Sequence, residues 1–174
     1  MGENTVNNLI VIDSREKAKA IKKIVSEFDK QNIKYISSKL YVGDYMSYDN
    51  PRLVIDRKQN LTELCGNICQ QHVRFRNELK NAQENNIKLI FLCEHGGNIK
   101  TLDDVATWIN PRRFVRKKDY TTGKWHTVET RAIKGEVLHK ILLTLQKRYE
   151  CQFLFCDKSE TGKKIIDLLG VKYE

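Results

Sequence analysis

Long apolar runs are absent from this sequence, since no hydrophobic stretch approaches the ~20 residues that a helix needs to cross a bilayer. Residues 1–8 contain no basic segment followed by an apolar one, and Gly2 is followed by an acid, which disfavours a secretory signal and N-terminal lipidation. Internal repeats, low-complexity tracts and domain linkers are also lacking. We therefore expect a single intracellular, cytoplasmic domain over residues 1–174, with no membrane partner.

Acidic residues are the scarcer charge, with 22 Asp and Glu against 31 Lys and Arg, a net charge of +9. The hydrophobic fraction of 40% and the charged fraction of 30% are typical of a globular chain rather than a disordered one. A small protein this basic usually meets a polyanion. Nucleic acid is therefore the expected partner.

Five cysteines are present, and in an intracellular chain we expect them to be reduced thiols. Three potential zinc ligands, Cys65, Cys69 and His72, follow an i, i+4, i+7 spacing within a predicted helix. That spacing fits a zinc site, but it also describes the inward stripe of any packed helix. The packed stripe is the favoured interpretation.

Apolar runs typical of buried strands alternate with segments of helical periodicity. The predicted strands are residues 9–13, 33–40, 52–58, 87–93 and 152–156. The predicted helices are residues 17–30 after a Ser14 cap, 61–85 after an Asn60 cap, 101–108, 135–149 and 161–169. This order predicts an α/β three-layer domain with a central mixed β-sheet flanked by helices.

The segment over residues 42–58 is the strongest candidate for a functional site. It holds Asp44, a turn at residues 49–51, and then an apolar strand carrying Asp56 and Lys58 on one face, because strand side chains alternate. Two carboxylates suit Mg²⁺, and a lysine beside them suits metal-assisted phosphodiester hydrolysis. The alternative is a solvated edge strand on which Asp44 is only a turn residue.

A basic insertion, residues 111–134, breaks the strand–helix pattern. It contains eight basic and two acidic residues, a net charge of +6, and the basic ones include Arg112, Arg113, Arg116, Lys117, Lys118 and Lys124. Aromatic residues, Trp125 among them, are interleaved with the charges, and residues 121–124 are typical of a hairpin tip. These features predict a β-arm that binds DNA phosphates and stacks on unpaired bases, unless it is only a solvated loop.

Six short motifs occur in a consistent order along the chain. They are Asp13-Ser14-Arg15-Glu16, Gly43-Asp44-Tyr45, Asp56-Arg57-Lys58, Arg74-Phe75, the apolar strand ending at Glu94, and Glu160-Thr161. Together they resemble the XPF-type structure-specific endonuclease domain, a branch of the PD-(D/E)XK superfamily with the restriction-endonuclease-like fold. The resemblance covers nearly the whole chain except residues 111–134.

The resemblance implies a metal-dependent DNA endonuclease that acts on branched or flapped DNA in repair, recombination or replication. It implies Mg²⁺ or Mn²⁺ at Asp44 and Asp56, with Asp13 as an additional catalytic carboxylate or as a support for neighbouring arginines. It assigns Lys58 to the attacking water, and it assigns active-site support or phosphate contact to Arg15, Arg57 and Arg74. No small-molecule cofactor is expected, a homodimer through the last two helices is compatible with it, and the small size is typical of a bacterial or bacteriophage version.

Three departures from the family pattern limit what the resemblance implies for this chain. Asp56 replaces the usual Glu, which preserves a carboxylate, whereas Thr62, beside Glu63, stands where the family has a further acid. We expect no helix-hairpin-helix module after the domain, and for this reason the family's substrate preference is not carried over. Two alternatives stay open: a catalytically inactive DNA-binding scaffold of the same fold, and a Holliday-junction resolvase or restriction-type nuclease.

Overall fold

The computed structural model describes residues 8–171, so the expectations about residues 1–7 lie outside the described part of the chain. The strands are β1 Leu9–Asp13, β2 Lys34–Ser38, β3 Tyr45–Ser47, β4 Asn50–Lys58, β5 Lys88–Cys93, β6 Phe114–Lys118, β7 Trp125–Glu129 and β8 Gln152–Phe155. The α-helices are α1 Lys22–Lys30, α2 Leu61–Cys69, α3 His72–Glu84, α4 Gly135–Tyr149 and α5 Thr161–Leu169. Two short 3₁₀ helices cover Asp103–Thr107 and Pro111–Arg113. Within the described range, no helix is long and apolar enough to cross a membrane.

The central sheet has six strands in the order β2-β1-β3-β4-β5-β8. The β1–β2, β4–β5 and β5–β8 pairs are parallel, whereas β3 pairs antiparallel with both β1 and β4. The parallel pairs arise because helical crossovers connect their strands, while the turn after Ser47 returns the chain directly as a hairpin. The predicted mixed sheet is confirmed.

Helices cover both faces of this sheet because successive strand residues point to opposite sides. One hydrophobic cluster joins α1 and α5 to the sheet, with residues such as Phe28, Ile165 and Ile55. The other cluster joins α2, α3 and α4 to the opposite face, with residues such as Leu64, Leu138 and Val54. Val54 and Ile55 are adjacent and serve opposite clusters, which makes the domain three-layered as predicted.

The first predicted helix begins later than expected. Residues 17–21 form turns and α1 starts at Lys22, so Ser14 caps no helix. The predicted helix over residues 101–108 is only the 3₁₀ turn Asp103–Thr107. In both places the local apolar spacing was present, but the backbone closed into turns before a regular α-helix began.

The predicted helix over residues 61–85 is two helices. Its Asn60 cap is confirmed, because the Glu63 amide donates to the Asn60 side chain at 2.9 Å and the Gln59 amide donates to the Glu63 carboxylate at 2.7 Å. The helix then ends where the amides of Gln70 and Gln71 both donate to the Gly66 carbonyl. This break shifts the phase of α3, so Val73, predicted to point inward, is 59% exposed.

The zinc interpretation is wrong. Within residues 8–171, the side chains of Cys65, Cys69 and His72 do not form a group that could hold a metal ion. Cys65 and Cys69 lie on α2 with their sulfurs 4.0 Å apart, but His72 begins α3 beyond the helix break. The break separates His72 from the helix of the cysteines. The favoured interpretation, a packed stripe, holds for the buried Cys65 alone, since Cys69 and His72 are exposed.

Candidate active site

A cleft of about 520 Å³ contains most of the residues predicted from the 42–58 segment and its neighbours. Its walls come from the end of β1, the β3–β4 hairpin, and helices α2 and α3. The lining residues are Asp13, Arg15, Glu16, Gly43, Asp44, Asp56, Arg57, Lys58, Glu63, Asn67, Gln71, Arg74, Phe75 and Glu78. Four elements distant in the chain thus converge on one acidic centre with basic residues at its margin.

The β3–β4 hairpin sets the position of Asp44. The Asp44 amide donates to the Ile55 carbonyl at 2.8 Å, and the Asp44 Oδ2 accepts from the Arg57 amide at 2.8 Å. Gly43 permits this approach, since its φ is +69° and a Cβ there would lie 2.4 Å from a methyl of Val54. The carboxylate of Asp44 is therefore fixed beside β4, as the sequence predicted.

Asp56 and Lys58 share one face of β4, and the Lys58 Nζ lies 2.7 Å from the Asp56 Oδ1. Both side chains are buried. Burial alone lowers the pKa of Lys58, but the charge of Asp56 and its hydrogen bond outweigh burial, and the net shift is upward. Lys58 therefore stays an ammonium at neutral pH.

A third carboxylate, Glu78 on α3, also faces this cleft and was not predicted. Burial, followed by the negative charge of Asp56, raises the pKa of Glu78 to about 7. The same two causes raise the pKa of Asp44 to about 8. Glu78 lies one helical turn after Arg74, so the i, i+4 relationship to an already suspected residue was the signal that could have found it.

Arg57 is held by two carboxylates on the other side of β4. Its Nε donates to Glu16 at 2.9 Å and its Nη1 donates to Glu94 at 2.6 Å, while Thr161 Oγ1 donates to the second oxygen of Glu94 at 2.7 Å. The Arg57 side chain is 5% exposed. These contacts place Arg57 in a buried ion-pair network, and both roles expected for it, active-site support and phosphate contact, stay predictions.

Asp13 uses both carboxylate oxygens in protein contacts. Oδ2 lies 2.5 Å from Arg15 Nε, and Oδ1 accepts from the Leu40 amide at 2.9 Å. Asp13 thus holds Arg15 in place, which is the alternative to its metal role, and metal binding by Asp13 stays a prediction. Arg15 is 58% exposed, and Arg74 is exposed too, so both can meet phosphates at the cleft margin.

The structure answers only in part which residue takes the place of the acid that the family has at Thr62. Thr62 is half-buried, and neighbouring Glu63 lines the cleft with one oxygen committed to the Gln59 amide. A further carboxylate near Asp56 comes instead from a different helix, through Glu78 on α3. The candidate DNA-binding residues of the basic insertion do not line the cleft in the described structure. They are Arg112, Arg113, Arg116, Lys117, Lys118, Lys124 and Trp125.

The acidic centre fits a hard divalent cation. Asp44 and Glu78, whose pKa values are raised by burial and then by the charge of Asp56, gain most from a nearby cation. Magnesium typically takes one or two protein carboxylates together with waters and substrate phosphates. Asp44 and Asp56 supply that donor set, with Glu78 beside them. The fold is a three-layer domain of the restriction-endonuclease-like class, with this acidic cleft beside β4.

Comparison with known proteins agrees with this class. Residues 12–168 match the ERCC4 domain family. The chain belongs to that family, which confirms the XPF-type resemblance. No match is found among curated proteins.

Two solved structures share the fold. XPF from Aeropyrum pernix superposes with a TM-score of 0.61 at 17% identity, over 92% of this chain and 63% of that chain. XPF from Aeropyrum pernix in complex with DNA gives a TM-score of 0.60 at 16% identity, over 93% of this chain and 63% of that chain. The present chain therefore spans less than two thirds of the length of these relatives, and at such identities the likeness establishes the fold.

Proposed function

We propose that this chain is a divalent-metal-dependent DNA endonuclease that hydrolyses phosphodiester bonds. The observation that carries the proposal is the convergence of Asp44, Asp56 and Lys58 in one cleft through the β3–β4 hairpin. Membership of the ERCC4 domain family and the similarity to an XPF structure in complex with DNA support it. Branched or flapped DNA in repair, recombination or replication is the proposed substrate class.

Asp44 and Asp56 are the proposed ligands of Mg²⁺ or Mn²⁺. A bound divalent cation would polarise the phosphoryl oxygen and acidify a coordinated water. Glu78 adds negative charge on the α3 side of the cleft. Burial and the charge of nearby Asp56 raise the pKa of Glu78. A cation held by Asp44 and Asp56 would cancel the repulsion among these carboxylates.

Lys58 is proposed to donate a hydrogen bond to the attacking water or to the charge that develops on the phosphate. Its pKa is raised by Asp56, so at neutral pH it carries a proton and acts as a donor and a positive charge rather than as a base. The ammonium forms an ion pair with Asp56 at 2.7 Å. Asp56 therefore has two roles, one toward the metal and one toward Lys58.

Arg15 and Arg74 are the proposed phosphate contacts at the margin of the cleft. Both side chains are exposed there, and arginine presents a planar fork that suits phosphate oxygens. Contacts of this kind position the backbone of DNA without reading its sequence. They would place the scissile phosphate over Asp44 and Asp56.

A homodimer through α4 and α5 is a further part of the proposal. Val137 and Leu143 on α4 are exposed, although both are apolar. Pairing of two copies would remove this surface from water. Sedimentation equilibrium over a hundredfold concentration range tests it, and a constant monomer mass would contradict it.

The test is a cleavage panel on end-labelled flap, fork, nicked, four-way and linear DNA, with Mg²⁺, Mn²⁺ or EDTA. We expect metal-dependent cleavage of the branched substrates and none by Asp56→Asn. Binding without cleavage under every condition would identify a scaffold. Cleavage restricted to the four-way substrate would indicate a junction resolvase, and cleavage of linear duplex would indicate a restriction-type nuclease.

A further inference from the structure

The basic insertion forms an antiparallel hairpin, here called the arm, made of β6, β7 and the turn between them. Its turn closes where the Asp119 amide donates to the Lys124 carbonyl at 2.8 Å. All five residues of β6 are exposed, and Tyr120 and Trp125 are 93% and 58% exposed. Exposed rings together with several cations are unusual for a merely solvated hairpin, and they require an explanation.

The strand register divides the arm into two faces. Cross-strand partners share a face, and the pairs are Phe114 with Glu129, Val115 with Val128, Arg116 with Thr127, Lys117 with His126, and Lys118 with Trp125. One face, here called the ring face, carries Phe114, Arg116, Lys118, Trp125, Thr127 and Glu129. The other, here called the back face, carries Val115, Lys117, His126 and Val128. Alternation along β6 separates Lys117 from its two basic neighbours, and the register shows which residues of β7 share each face.

Cations and aromatic rings are paired on the ring face. The Arg116 guanidinium lies 5.6 Å from the centre of the Trp125 ring. The neighbouring Arg113 guanidinium lies 5.3 Å from the centre of the Phe114 ring and forms an ion pair with Glu129. A ring beside a cation presents a flat stacking surface and a phosphate contact at the same place.

The base of the arm is fixed next to the cleft. The buried Asn110 side chain donates to the Ile133 carbonyl at 2.9 Å and accepts from the Arg112 amide at 3.0 Å. These bonds tie together the two segments that lead into and out of the arm. The same side chain lies 3.9 Å from the sulfur of Cys65 on α2. On the same helix, the Arg112 guanidinium lies 3.6 Å from the position that a Cβ of Gly66 would take. Gly66 follows Glu63, a lining residue of the cleft, by one helical turn, so the base of the arm contacts α2 on a face next to the cleft.

We propose that the ring face of the arm binds an unpaired DNA strand next to the cleft, with a base stacked on Trp125 and phosphates on Arg116 and Lys118. This inference rests on the proposed endonuclease function and names the part of the substrate that the arm recognises. Unpaired strand is favoured over duplex because bases inside a duplex cover one another's faces, whereas exposed rings beside cations suit splayed bases. A junction between duplex and single strand offers both parts at once.

The experiment measures equilibrium binding by fluorescence anisotropy in EDTA, where metal-dependent cleavage does not occur. The DNA probes are a fork with a single-stranded tail and a blunt duplex of the same length. Trp125→Ala is expected to weaken fork binding about tenfold, within the range for loss of one stacked base, and duplex binding less than twofold. Trp125→Phe keeps a ring and should restore most of the affinity.

The matched control compares the two faces of the arm. Arg116→Ala/Lys118→Ala should reduce the salt slope of fork binding by about 1.4, at about 0.7 for each phosphate contact on single strands. Lys117→Ala/His126→Ala, on the back face, should leave the slope and the affinity near the wild-type values. Thermal unfolding of each variant confirms that the fold is retained.

Three results would overturn the proposal. Equal losses of DNA affinity in the ring-face and back-face variants would mean that the charge of the arm contributes to binding whichever face it lies on. Equal losses on fork and duplex with Trp125→Ala would indicate contact with a duplex groove. No loss from any arm variant would show that the arm does not touch DNA. Because binding is measured without metal, failure of the arm and failure of the proposed nuclease activity are distinguished.

Discussion

The Nζ of Lys58 lies 2.7 Å from the Oδ1 of Asp56, two residues away on the same face of β4. The pair brings together a carboxylate proposed to bind metal and an ammonium proposed to act on the reacting phosphate. Asp44 reaches the same place from the preceding strand through its hydrogen bond to the Arg57 amide. The central chemistry of the site therefore depends on a single β-hairpin.

Replacement of Lys58 by Ala should reduce cleavage by about 10²-fold or more while DNA affinity changes little, because only the transition state needs its charge. Single-turnover cleavage and anisotropy on the same substrate measure the two quantities. Lys88→Ala is the control, since Lys88 is an exposed lysine at the start of β5. Wild-type turnover in Lys58→Ala would remove Lys58 from the mechanism.

The pKa of Asp44, raised to about 8, makes a pH-dependent prediction for the metal-free protein. A carboxyl with a raised pKa in the folded state stabilises the fold when protonated, and that contribution disappears as pH rises toward 8. Asp44→Asn stays neutral, so it should be more stable than wild type at pH 9 by at least about 1.4 kcal/mol, the value of one pKa unit.

The measurement for Asp44→Asn is urea unfolding in EDTA at pH 5 and pH 9. The advantage of the variant should be larger at pH 9 than at pH 5. If the difference in unfolding free energy between variant and wild type is the same at both pH values, ionisation of Asp44 does not destabilise the fold. Calorimetry of the same variant with Mn²⁺ should show weaker binding than wild type.

Glu78→Gln should weaken Mn²⁺ binding about tenfold, because Glu78 adds negative charge to a cleft shared with Asp56. Isothermal calorimetry without DNA measures this directly. Glu84→Gln is the matched control, since Glu84 ends the same helix and its carboxylate is exposed. Unchanged Mn²⁺ affinity in Glu78→Gln would place Glu78 outside the metal's environment.

Glu94→Ala should destabilise the fold by about 3 kcal/mol, because it removes one carboxylate partner of the buried Arg57 guanidinium. Thr161→Val, which removes the hydroxyl donor to Glu94, should cost about 1 kcal/mol. Urea unfolding measures both. The exposed pair of Lys80 and Glu84 serves as comparison, since Lys80→Ala should cost under about 1 kcal/mol. An equally small loss in Glu94→Ala would contradict a structural role for this network.

Local pattern in the sequence was sufficient for much of the fold and for the centre of the site. The period of two along β4 places Asp56 and Lys58 on one face, whatever the rest of the chain does. The two hairpin turns are likewise short-range features. The turn predicted at residues 49–51 lies at residues 48–49, because β4 already begins at Asn50, and the hairpin tip near Gly123 is confirmed. Such features are predictable because backbone geometry relates residues only a few positions apart.

Tertiary structure alone decided the contacts between distant segments. Arg57 meets Glu16 and Glu94 across 41 and 37 residues, and Glu78 enters the cleft only because the α2–α3 break sets the phase of α3. Periodicity specifies which face a residue occupies within one element, but not which face of another element it will meet. Packing of the helices against the sheet settles that choice. For this reason the sequence indicated Asp44, Asp56 and Lys58, whereas Glu78, and the contacts of Arg57 with Glu16 and Glu94, emerged from the fold.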